Sequence, residues 1–328
     1  MSLVTPPELA LLLVADSHVM IRRVLRCYAA AGDPSRLELV VAALRGADVT
    51  EAKLHAEGFR HARVIDGGGG DLAIAEARAA RAATAPLVVF AQAHAYPMPG
   101  FVDTILNARR SGRWAVVGPR MECANPRSAM ARASMRIGYG SWWGGGERGP
   151  TDMVAGHSSA YDRVALLSLG DDLEKLLPAG RQLQLELGAR GGENFFEPAA
   201  CVEIVNASER NAFVADQFRQ GRLVGGERSI RWSAARRLAY AAGSPLIPTV
   251  RLARILAEVV RAGKPRLTAS ELPALVVGLV VSATGELVGY LFGKSTDSAS
   301  QEISFHRLLY VREEDREGDG DEDRLACR

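Results

Sequence analysis

Short, continuous apolar runs alternate with helix-length segments through the first third of the chain, and this alternation constrains the fold more than any other feature. Leu9 to Ala15 (LALLLVA) has no polar interruption, as expected of a strand covered on both faces. Ser17 to Ala31 follows with Val19, Ile21, Val24, Leu25 and Tyr28 at helical spacing. Leu37 to Ala43, His61 to Ile65, Pro86 to Ala91 and Trp114 to Gly118 read as further strands. Helices are expected around Thr50 to Gly58 and from Asp71 to Ala83, the latter alanine-rich with Asp71 as N-cap. Strand–helix alternation of this length predicts a mostly parallel sheet with helices on both faces. Ligands of such sheets bind beyond the carboxyl ends of the strands. That places Asp16, Asp66 and Gln92 to His94 near the expected site.

The later segments are less regular. Tyr161 to Gly191 reads as two helical pieces broken at Gly170 and Pro178, Phe195 to Val205 as a strand, and Phe213 to Arg222 as a helix. Trp232 to Ala242 and Val250 to Ala262 are arginine-studded amphipathic helices joined by SPLIP. Leu272 to Gly293 is the most apolar stretch and has about the length of a bilayer crossing, but Ser282, Thr284 and Glu286 interrupt it. A membrane span, an in-plane segment and a buried core or oligomer contact all stay open. The domain reading is residues 1–226, a helical extension over 227–311, and an acidic tail over 312–328 that is expected to be disordered.

Charge matters by position. The net charge of +2 gives the whole chain no pull toward nucleic acid. From Glu227 to Arg266, however, nine Lys/Arg face two acids, which suits an anionic lipid surface or a solvated face. The four cysteines form neither a CxxC pair nor a Cys/His cluster, so reduced thiols in a cytosolic chain are the simplest expectation. Neither Gly67 to Gly70 nor Trp142 to Pro150 has the GxGxxG or GxxxxGK[ST] order, and VADSHVM follows the first strand. A Rossmann oxidoreductase and a P-loop are therefore disfavoured.

Four stretches, in order, carry a resemblance: PLVVFAQAHAYPMPGF (Pro86 to Phe101), WAVVGPRMECANPRS (Trp114 to Ser128), MVAGHSSAYDRVALLSLG (Met153 to Gly170) and SIRWSAARRLAYAAGSPLIPTVRLARIL (Ser229 to Leu256). Together they resemble the family 2 glycosyltransferases over roughly Glu8 to Arg261. The resemblance implies an α/β chain of GT-A type, with a mostly parallel central sheet, helices on both faces and a C-terminal helical extension. It implies inverting transfer of a sugar from a nucleotide-sugar donor to a sugar or lipid-linked acceptor at the inner membrane face. The location implied is cytoplasmic, with peripheral contact to the membrane and no nucleic-acid partner.

The family's acidic motif after the fourth strand corresponds here to Gln92-Ala93-His94, which leaves His94 as the one residue able to hold Mg or Mn. The family's acceptor-side carboxylate falls at Gly180 or Arg181, with Glu186 or Glu174 as substitutes, and its later His is replaced by Ile204-Val205-Asn206. His157 keeps a Gly-His pair, Asp16 and Arg78 match nucleotide-side positions, and Trp142 and Trp143 sit where a loop would cover a sugar. The expected set is thus Glu186 and His157 for chemistry, and Asp16, Asp66, Arg78, Gln92 and His94 for the donor. Arg78, Arg120, Arg127 or Arg148 could neutralise the diphosphate in place of a metal. The competing expectation is a scaffold on the same fold that no longer turns over substrate.

Overall fold

The computed structural model describes residues 6–178, 180–230, 232–260, 264–294 and 305–315. The chain divides into two compact units, one of residues 1–120, 146–203 and 320–328 and one of residues 121–145 and 204–319. The boundary expected at residue 226 lies inside a continuous helix, Arg210–Ser229.

The first unit is built on the strands β1 (Leu9–Ala15), β2 (Leu37–Ala43), β3 (His61–Asp66), β4 (Leu87–Phe90), β5 (Ala95–Pro97), β6 (Trp114–Cys123), β7 (Gly149–Thr151), β8 (Ala160–Asp162) and β9 (Glu193–Ile204). They lie in the order β3-β2-β1-β4-β8-β6-β9-β5, with β7 paired to β9. The first four strands are parallel, with Leu9 opposite both Leu37 and Leu87. The expected α/β architecture with a mostly parallel sheet is present. One short strand breaks the pattern: β8 runs antiparallel between β4 and β6, where the sequence suggests the start of a helix. Three residues are too few to show a period of two.

Helices α1 (His18–Ala30), α2 (Glu51–Ala56), α3 (Leu72–Ala82) and α4 (Phe101–Arg110) connect the strands. The chain moves outward from β1 to β2 to β3, then returns through α3 to β4 on the other side of β1. Right-handed crossovers therefore put α1 and α2 on one face and α3 on the other. Asp71 caps α3, accepting from Ala73 N at 2.9 Å as the sequence suggests. Helix α4 was hidden by the proline turn before it. Gly100, at φ 80°, ends that turn and starts the helix.

The second unit is helical: α5 (Ala129–Tyr139), α9 (Arg210–Ser229), α10 (Ala234–Gly243), α11 (Ile247–Val259) and α12 (Leu272–Phe292), while α6 (Arg163–Leu167), α7 (Leu173–Leu176) and α8 (Gly180–Ala189) belong to the first. Helix α12 is long and apolar enough to cross a membrane by length and composition. It packs against α5, α9, α10 and α11, with Leu275, Leu279, Ser282 and Glu286 buried. A Cβ on Gly221 or Gly225 of α9 would strike the carbonyl oxygen of Ser282 or Glu286, and one on Gly285 that of Phe218. These glycines let two parallel backbones touch.

Part of the expected acidic tail is ordered. Arg312 N donates to Ser208 Oγ at 2.9 Å, and Glu313–Asp315 forms a 3-10 turn. The remainder lies outside the described residues. Cys123 and Cys201 are buried and form no disulfide, but Cys27 is disulfide-bonded, against the expectation of reduced thiols.

Candidate functional site

The strand order creates a crevice. Connections leave β1 and β4 in opposite directions, so no loop closes the gap beyond their carboxyl ends, the place where open α/β sheets bind ligands. The end of β4 is tied to the middle of β1 by Ala91 N donating to Leu12 O at 2.9 Å, so β1 runs on past it to Ala15. Asp16, just past β1, is half-buried, and Gln92 sits just past β4. The Gln92 side-chain oxygen is buried and accepts no hydrogen bond among the described residues. A buried amide oxygen without a donor is costly and is a natural place for a ligand group to bind.

Two predicted donor-side residues meet beyond the carboxyl end of β3, two strands out from β1. Arg78 Nη1 bonds the Asp66 carbonyl at 3.1 Å and its carboxylate at 3.4 Å. Asp66 in turn accepts from Gly68 N at 2.9 Å. Gly68 has φ +85°, and a Cβ there would press on the Arg78 guanidinium. The Gly67–Gly70 run is therefore a turn shaped around Arg78. Asp66 is exposed, so the pair faces solvent, with both partners available to a ligand.

The third side is the segment before β8. Ser158 is the sole non-glycine residue with positive φ, 61°, among those described, a conformation with a steric cost for any L side chain. Its N–H donates to Phe90 O at 3.1 Å, which anchors the loop beside the end of β4. Its hydroxyl is buried without a hydrogen bond among the described residues. Strain plus an unsatisfied polar atom in one residue is a mark of a functional segment. His157, next to it, is half-buried. Gly156 abuts Gly180: a Cβ built on either would come within 3.1–3.3 Å of the other's Cα. The start of α8 thus lies against the Gly-His pair.

Glu186 does not join this site. Gln184 faces the segment, exchanging hydrogen bonds with Val154 N and O at 2.9 Å each. Glu186 is two residues on, about 200° around the helix, and pairs with Arg190 at 3.4 Å. Glu174 is bound to Arg81 at 2.7 Å. A further carboxylate, Glu76 on α3, absent from the expected set, lies within electrostatic range of Tyr161. It makes no hydrogen bond or ion pair among the described residues. Burial, with a smaller push from Asp71, raises its pKa to about 7. It also adds to the upward shift of Tyr161, whose phenol is raised mainly by burial and whose hydroxyl donates to Gly156 O at 2.7 Å. A sequence signal existed: Glu76 lies three and four residues from the buried Ala73 and Ala80, the one acid on the inner stripe of α3.

The metal reading needs correction. Mg or Mn calls for several hard oxygen ligands. Among the described residues no group of three or more His, Cys, Asp or Glu could hold an ion. His94 is 2% exposed, turned into the protein at the third position of the motif, and Ala93 carries no ligand atom. The residues present do not fit a carboxylate-held divalent centre. Of the other cations, Arg148 is paired with Glu197 at 2.6 Å. In the helical unit, Trp143 is buried and its ring N–H donates to Glu122 at 3.0 Å, which makes it a loop anchor.

No family model matches the chain, and no curated protein matches it. Among solved structures, the chain is similar to S. aureus TarS, with 15% identity, 87% of this chain and 81% of that chain covered, and a TM-score of 0.44. It is similar to GalNAc-T7 determined with UDP, GalNAc and Mn2+, with 11% identity, 60% and 43% covered, and a TM-score of 0.44. It is also similar to glucosyl-3-phosphoglycerate synthase from Mycobacterium tuberculosis, determined with Mn2+, UDP and glucosyl-3-phosphoglycerate, with 19% identity, 61% and 72% covered, and a TM-score of 0.39. Superpositions of this quality carry no argument about chemistry.

Proposed function

We propose that the β1–β4 crevice binds a nucleotide sugar and that the chain is an inverting glycosyltransferase. The observation that carries this is the juxtaposition, at one topological switch point, of Asp16, the unsatisfied Gln92 amide and the strained Gly156–Ser158 segment. Asp16 and Gln92 offer acceptors to the base and ribose hydroxyls, and Arg78 offers a cation to the diphosphate. In the reaction, an acceptor hydroxyl oxygen bonds to the anomeric carbon and the carbon–phosphate-oxygen bond breaks. The hydroxyl proton passes to a base, and the nucleoside diphosphate leaves with the bonding electrons. Glu76 and His157 are the groups suited to take that proton, and a carboxyl titrating near neutrality matches the task. A cytoplasmic location and a sugar or lipid-linked acceptor belong to the same proposal.

A panel of nucleotide sugars, assayed for transfer and for donor hydrolysis with and without Mn2+, tests this reading. Turnover independent of Mn2+ and lost in Glu76→Gln is expected. A second reading, a non-catalytic scaffold on the same crevice, is favoured by Ala93 and Gly180 at positions where the resemblance expects carboxylates. Nucleotide binding with no turnover of any donor would select it.

A further inference from the structure

Of the eighteen large hydrophobic side chains exposed among the described residues, fourteen lie between Val214 and Phe292, all in the helical unit. On α11 they form a stripe. Leu252, Ile255 and Val259 turn inward onto Leu275 and Leu279 of α12. The other side presents Leu246, Val250, Leu256 and Val260, the last 84% exposed. Spaced four, six and four residues apart, at about 100° per residue they point within an arc of about 120°, one broad helical face. A helix apolar on both faces needs a second apolar environment outside the bundle. Helix α12 supplies a second stripe, with Val276, Val277 and Val280 exposed opposite its buried Leu275 and Leu279. Between α9 and α12 lies an open groove of about 500 Å3, lined mainly by Val214, Ala215, Phe218 and Val281.

The charges flanking these stripes have one sign. Arg236 and Arg254 are exposed on α10 and α11, and Arg266 is exposed nearby. The acids of this stretch are withdrawn: Glu227 faces Lys294 at 3.6 Å, and Glu258 is half-buried. Arg236 also stacks over Trp232, 4.4 Å from the ring centroid, beside the exposed Tyr240. Aromatic rings with a polar edge, arginines with long apolar stems and a bare aliphatic stripe are the composition of an in-plane membrane helix.

We infer that the α10–α11–α12 surface docks on an anionic phospholipid bilayer. The α11 stripe enters the headgroup–acyl boundary, the arginines bind lipid phosphates, and the α9–α12 groove takes an acyl segment. This stands apart from the sugar-transfer reading, because no crevice residue takes part.

The test is flotation of the full chain with phosphatidylcholine vesicles, with and without phosphatidylglycerol. Binding is expected with phosphatidylglycerol and is expected to weaken with salt. Val250→Asp and Leu256→Asp should each reduce it by at least about tenfold, since each puts a charge where an apolar side chain would be buried. Arg236→Glu with Arg254→Glu should remove the preference for phosphatidylglycerol. All four positions are exposed, so unchanged thermal melting serves as the folding control. The inference is overturned if the folded chain stays out of the floating fraction. It is equally overturned if light scattering shows a stable dimer that Leu256→Asp dissociates, because the stripe is then a contact between copies.

Discussion

Glu38 and Glu76 are both acids drawn away from solvent, and they differ in what answers their charge. Glu38 accepts from Thr84 N, Thr84 Oγ and Ala85 N at 2.7–3.0 Å, all on Oε2, so one carboxylate oxygen holds β2 to the turn before β4. Glu76 has no such partners, and its pKa rises from 4.5 to about 7. Below about pH 4.5 both folded and unfolded chains hold the proton, and the residue has no effect on stability. As pH rises toward 7 the unfolded chain releases its proton first, so stability falls, and above 7 the loss is complete. Glu76→Gln should therefore match the parent near pH 4 and exceed it at pH 8 by on the order of 3 kcal/mol. Urea unfolding across that range checks this, and a pH-independent difference would show that the carboxylate is not desolvated. The residues that sequence reasoning put near the expected site, Asp16, Asp66, Arg78 and Gln92, sit at strand ends or on the helix that follows. Alternation alone fixes which end of the sheet they occupy. A motif offset cannot say which side of a helix a residue occupies, and Glu186 pairs with Arg190 on α8.

At the scale of elements, α9 is the clearest case of tertiary packing overriding local preference. Gly221, Gly225 and Gly226 read as a helix stop near Arg222, since each glycine costs about 1 kcal/mol in a helix interior. The helix continues to Ser229 because α12 lies directly on those glycines, with Gly285 and Gly289 answering from its own side. The pairing was visible in the sequence only as two GxxxG spacings, whose partnership depends on contacts distant along the chain. Gly225→Ala is expected to destabilise the protein by about 3 kcal/mol, because the added methyl meets backbone that cannot step aside. Chemical denaturation monitored through Trp232 measures it, and a change under about 0.5 kcal/mol would mean that the helices are not in this contact. The strands β1 to β4 were legible because continuous apolar runs leave little choice. The short β5, β7 and β8 were not, since three residues each carry no period.

For the whole molecule, the proposal divides labour between a sheet unit that would take a ligand at its switch point and a helical unit whose exposed surface is apolar and basic. The sheet unit was legible as a fold class and its strand order was not, because parallel pairing is decided by contacts far apart in sequence. The central claim is that a nucleotide occupies the β1–β4 crevice without a carboxylate-bound metal. Calorimetric titration of the full chain with UDP in the presence of EDTA tests it most directly. The account predicts saturable binding with a dissociation constant below about 100 μM, weakened about tenfold by Asp16→Ala and likewise by Arg78→Ala. No binding in EDTA, or binding untouched by both substitutions, would contradict it.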